Sequence, residues 1–134
     1  MNELIEKMFV KTFVCKRLQD RIFFELSNNK SRNKAISRFA HINDELIELK
    51  YVMFQSNKLT SSEIETKLMS HCDKSKKVYI ISTNEFDGEF VILREGIQLC
   101  MNDYMPSILV CNPNCVFIKE ETEYGAPMKY ILIK

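Results

Sequence analysis

The sequence predicts an α+β domain: its helices, the N-terminal ones foremost, pack on one face of a mostly antiparallel or mixed sheet of about five strands. Three observations carry this. Apolar residues recur at helical spacing through the first quarter of the chain, with no Gly or Pro to interrupt them. Short, partly β-branched apolar runs crowd the second half, separated by turn residues. The chain has 134 residues of which 46% are apolar, which suits a single domain, residues 1–134, with one core.

From Asn2 to Leu26, Leu4, Met8, Cys15, Leu18, Ile22 and Leu26 follow one stripe, flanked by Ile5, Phe9, Phe13 and Phe23. This reads as one long helix or two abutting ones, ending at Ser27-Asn28-Asn29, where Asn suits the left-handed backbone of many helix ends. Ser31 then caps a second helix to about His41 that buries Ala35, Ile36, Phe39 and Ala40. Tyr51–Phe54 is a short strand. Thr60-Ser61-Ser62-Glu63 has the form of a capping box, and the helix it opens points Ile64, Leu68 and Met69 inward and stops near His71.

Lys77–Thr83 (KVYIIST) is the clearest strand, and Asp87-Gly88 is turn chemistry. Phe90–Leu93 fits either a strand or the start of a helix through Met101, since periodicity cannot separate them over so short a run. Ser107–Cys111 and Cys115–Lys119 are apolar strands joined by Asn112-Pro113-Asn114, and Met128–Ile133 closes the chain as a strand.

Five cysteines, at 15, 72, 100, 111 and 115, are scattered and odd in number. Most adjoin apolar residues, as free thiols do in a reducing compartment, so the expectation is a cytoplasmic protein. Met1–Phe9 carries Glu3, Glu6 and Lys7 and lacks the apolar core of a secretory signal. No apolar run approaches the roughly 20 residues of a membrane span. Cys111 and Cys115 have the spacing of half a zinc site, but Cys15, His41, His71, Cys72 and Cys100 supply no second pair. Asn-Pro-Asn is therefore read as a hairpin turn and no metal or cofactor is expected.

Charge is segregated. Residues 11–38 carry a local balance of +6, and residues 84–128 one of −6. Lys30, Arg32, Lys34 and Arg38, with His41, meet no acid within residues 27–43 and suit phosphates or an acidic protein. No nucleic-acid signature accompanies them. The acids gather in two loops, Glu85, Asp87 and Glu89 in one and Glu120, Glu121 and Glu123 beside Tyr124 in the other. Tyr104-Met105-Pro106 adds anchor residues near them. Whether the two segments form separate surfaces or neutralise each other stays open at this level.

Catalytic signatures are missing: there is no P-loop, GxGxxG, GxSxG or HExxH, and Gly occurs only at 88, 96 and 125. His41 and His71 fall at helix ends, where a ring complements the dipole. No motif identifies a family. The leading expectation is a protein-binding module, of the general character of bacterial immunity or antitoxin proteins, that neutralises a basic toxin through Glu85, Asp87, Glu89, Glu120, Glu121, Glu123 and Tyr124. The alternatives are nucleic-acid binding by the basic 30–38 segment and a small hydrolase using His41 or His71.

Overall fold

The computed structural model describes residues 1–73 and 75–134. Helix α1 (Glu3–Phe13) starts where the Asn2 side chain accepts the Ile5 amide at 3.1 Å, and α2 (Lys16–Leu26) follows almost at once. The apolar stripe runs unbroken through both, so the break between them is made by tertiary structure. Val14 is extended and bridges Ile47, while the Cys15 amide donates to Leu46 O and the Glu48 amide to Phe13 O, each at 2.9 Å. Two abutting helices, rather than one, result.

Helix α3 (Arg32–Ser37) is shorter than expected and tightens into a 3-10 turn over Arg38–Ala40 before His41 becomes extended. Ser31 does stand at its N-cap position, but its hydroxyl donates backwards to Glu25 O at 3.1 Å instead of capping. A 3-10 turn (Leu49–Tyr51) leads into strand β1 (Val52–Ser56). Helix α4 (Ser61–Met69) opens on the predicted capping box: the Glu63 amide donates to Thr60 Oγ1 at 3.2 Å and the Thr60 amide to Glu63 Oε1 at 3.1 Å. It buries Ile64 and Leu68 but leaves Met69 exposed, a correction to the sequence reading.

Strand β2 (Val78–Ile81) is paired with the two-residue β3 (Phe90–Val91), and α5 (Leu93–Met101) starts straight after, so both readings of the 90–101 stretch hold in succession. Strands β4 (Ser107–Asn112) and β5 (Cys115–Lys119) form the hairpin, and β6 (Lys129–Ile133) ends the chain. The Asn114 amide donates to Asn112 Oδ1 at 2.8 Å, so the turn uses a local side-chain bond. The only positive φ angles among the described residues belong to Gly88 and Gly125.

All six strands pair antiparallel in the order β1-β6-β5-β4-β2-β3. The N-terminal helices lie on one face, as expected. Phe9, Phe13, Ile22 and Phe39 pack there against Ile81, Ile108, Val116, Ile118 and Leu132. The other face is covered too, by α4 and α5, whose Ile64, Leu68 and Ile97 meet Ile80, Leu109, Phe117 and Ile131. Helices on both faces are a change from the one-faced arrangement the sequence suggests. The physical reason is that β2 and β5 are buried at every position, so neither side can be left to water. Each such Ile, Leu or Phe contributes about 1.5–3 kcal/mol by leaving solvent.

Candidate functional site

One end of the sheet gathers the C-terminal ends of β1, β2 and β5 with the N-terminal ends of β4 and β6, because antiparallel register sets Ile81 beside Ile108, Ser107 beside Lys119, and Lys119 beside Lys129. The acidic loops leave the sheet here. Polar contacts tie them down. Asn84 accepts from the Ser82 hydroxyl and the Phe86 amide, both at 2.8 Å, and its Nδ2 donates to Asp103 Oδ2 at 2.9 Å. Asp103 Oδ1 accepts the Met105 amide at 2.9 Å, and the Thr122 amide donates to Tyr104 O at 2.7 Å. Residues 82–87, 103–105 and 120–124 thereby form one continuous rim.

The rim is fastened to the helical layer by residues 40–42. The Glu121 amide donates to Ala40 O at 3.2 Å, the Ile42 amide to Glu120 Oε2 at 2.7 Å, and His41 Nε2 lies 3.2 Å from Glu123 Oε1. Glu120 Oε2 also accepts the Tyr130 hydroxyl at 2.9 Å; burial, reinforced by that carboxylate, pushes the Tyr130 phenol above its ordinary range. Beneath the rim, on the α4/α5 face, Lys119 is buried without a carboxylate at hydrogen-bond distance. Its Nζ donates to Met105 O at 3.1 Å and Glu120 O at 2.9 Å, and burial pulls the ammonium below its ordinary value. Holding the carbonyls of both rim segments, it fixes where they cross.

The structure divides the seven acidic-surface residues. Glu85, Glu89, Glu123 and Tyr124 are exposed and Glu121 is half-buried. Asp87 is turned inward, and Glu120 is committed to Ile42 and Tyr130, so neither offers a free carboxylate to a partner. Glu89 stands apart from the rim, where the backbone pairs with Ile80 at the start of β3. The sequence did not disclose how far Tyr104 and Tyr124 protrude, at 75% and 96% exposure, on two segments joined by the Tyr104–Thr122 bond.

The basic candidates fare differently. Arg32 is 5% exposed and spends its whole guanidinium internally: Nη1 and Nη2 grip Glu6 at 2.7 and 2.6 Å, Nε and Nη2 grip Asp87 at 2.6 and 2.9 Å, and Nη1 also donates to Leu26 O at 2.9 Å. Arg38 is bidentate to buried Glu25 at 2.8 and 2.9 Å, a pairing that lowers the Glu25 carboxyl below its ordinary value. Lys30 and Lys34 alone of the four face solvent, with Lys34 4.0 Å from Glu25. The anion-binding patch of Lys30, Arg32, Lys34 and Arg38 is therefore corrected: its two arginines neutralise the buried carboxylates of Glu6 and Glu25, and Arg32 also holds the half-buried Asp87 of the acidic segment.

The histidines and thiols define no nucleophile. His71 contributes its carbonyl, which accepts Asn112 Nδ2 at 2.9 Å, and His41 meets Glu123. Burial pushes the Cys100 thiol up to about 12, against catalytic use. All five cysteines are free, and the Cys72 thiol donates to Leu68 O at 3.2 Å. Donor atoms of His41, Glu121 and Glu123 all lie within 4.8 Å of one another, a grouping sequence reasoning missed because His41 is some 80 residues away from the two acids. Among the described residues, no helix is long and apolar enough to cross a membrane. Comparison with protein-family models, with curated proteins and with solved structures finds no match.

Proposed function

We propose that this chain is a small protein-binding module that docks a basic polypeptide, such as a cationic toxin, on the rim formed by residues 82–87, 103–105 and 120–124. One observation carries the reading: Tyr104 and Tyr124 stand out from neighbouring segments that are joined by the backbone hydrogen bond from Thr122 to Tyr104. A tyrosine on an anchored backbone has only two side-chain torsions to order on binding and offers a large amphipathic surface, which is why such residues dominate interfaces. Exposed Glu85 and Glu123 and half-buried Glu121 share this rim with the pair, as does the exposed Met105. That setting favours a cationic partner and steers its approach. Free thiols throughout suit work in the cytoplasm.

The test is capture by the immobilised chain, identification of the bound polypeptide, and calorimetric titration of the purified pair. Tyr104→Ala and Tyr124→Ala are each expected to weaken binding about 10- to 30-fold, or about 1.4–2 kcal/mol. A Glu121→Lys/Glu123→Lys variant should lose affinity with a weaker salt dependence. An acidic partner, a nucleic acid, or a basic partner indifferent to both tyrosines would overturn the proposal.

A further inference from the structure

We propose that His41, Glu121 and Glu123 form a binding site for a divalent transition-metal ion, with zinc as the ion the donor set fits best. The inference does not rest on the docking reading, because it concerns the chain alone.

Three features support it. The first is donor chemistry: one imidazole nitrogen with two carboxylate oxygens suits zinc and its neighbours, whereas calcium and magnesium take oxygen alone. The second is spacing. Bonds of about 2.0–2.2 Å in a tetrahedron place neighbouring donors about 3.3 Å apart. His41 Nε2 and Glu123 Oε1 are already 3.2 Å apart, and all three donors lie within 4.8 Å, so Glu121 needs only a modest side-chain rotation to close the triad.

The third is that the two segments carrying the ligands are hydrogen-bonded to each other beside the triad. The Glu121 amide is bonded to Ala40 O, next to His41, and the Ile42 amide, on the other side of His41, is bonded to Glu120. The two strips of chain that carry the ligands are thus stitched together on both sides of the imidazole. Glu120 has its carboxylate engaged elsewhere and adds no fourth ligand. The triad lines an open groove of about 250 Å³ with Asn57, Tyr124 and Pro127, so a fourth coordination position faces solvent. Three protein ligands with one open position is the arrangement in which zinc keeps a water or accepts an outside donor.

The experiment titrates the intact chain with zinc by calorimetry and with cobalt(II) by visible absorption, without any partner. The expected result is one equivalent bound per chain, and a cobalt spectrum of a nitrogen and oxygen site without a thiolate charge-transfer band. His41→Ala, Glu121→Gln and Glu123→Gln should each weaken binding at least tenfold, while Glu89→Gln leaves it unchanged. Circular dichroism of the three exposed-site variants, expected to match the parent, separates lost ligands from lost fold. Binding should also weaken in acid, since the imidazole must be unprotonated to coordinate. Absence of binding at millimolar zinc overturns the proposal. So does binding that survives the three substitutions, or a thiolate band that disappears in Cys72→Ser.

Discussion

Replacing Arg32 by Met removes the cation that holds two carboxylates from distant parts of the chain, Glu6 and Asp87. The consequence can be worked from the geometry. All five guanidinium N–H donors are used, four on carboxylate oxygens at 2.6–2.9 Å and one on Leu26 O at 2.9 Å. The two orphaned acids are not equivalent. Asp87 retains 21% side-chain exposure and the Ser82 amide, so it can turn towards water. Glu6 has 2% and keeps only the Tyr79 hydroxyl at 2.7 Å. Breaking a buried pair by removing one partner costs about 3–5 kcal/mol, and most of that cost falls on Glu6. At about 4 °C per kcal/mol for a chain of this size, the melting temperature should drop by roughly 12–20 °C. Adding Glu6→Gln removes the stranded charge, so the Glu6→Gln/Arg32→Met double variant is expected to be more stable than Arg32→Met alone. Urea denaturation of the parent, both single variants and the double variant closes the cycle. If Arg32→Met stays within about 1 kcal/mol of the parent, or the two changes simply add, the account of the network is wrong.

Two further outcomes follow from packing and from charge. Gly96 sits inside α5, where alanine ordinarily stabilises a helix by about 1 kcal/mol. A Cβ there would meet Leu109 Cδ1 at 2.8 Å, Val78 Cγ2 at 3.0 Å and Val91 Cγ2 at 3.2 Å, so Gly96→Ala should instead destabilise by about 1–3 kcal/mol in the same urea assay. Glu25 has its carboxyl lowered from 4.5, first by the Arg38 hydrogen bond, so the stabilisation from this pair is fully present above the ordinary value and lost as pH falls through the lower folded one. Stability measured from neutral pH to about pH 3 should therefore fall less steeply in Arg38→Ala than in the parent.

Much of the local architecture was readable in the chain. The capping box at Thr60–Glu63, the Asn112–Asn114 hairpin and the glycine turn at 88 each depend on residues within a few positions of one another, and each formed as read. Neighbouring side chains meet whatever the rest of the protein does. The Val14–Cys15 break was less legible, because the apolar stripe crosses it and only the distant Ile47 segment pulls the backbone out of the helix. The full burial of β2 and β5 does have a sequence signal. Runs such as VYII and CVFI are apolar at consecutive positions rather than alternating, which points to a sheet covered twice.

Composition and periodicity by themselves determined the α+β class, most of its elements and the turns at Asp87-Gly88 and Asn112–Asn114, since these follow from short-range sterics and from which positions avoid water. Tertiary structure alone decided what the charges do. Arg32 reaches Glu6 across 26 residues and Asp87 across 55, and His41 reaches Glu123 across 82. Ion-pair energy depends on distance in space and on the water excluded around the pair, and neither is written in the spacing of residues along a chain.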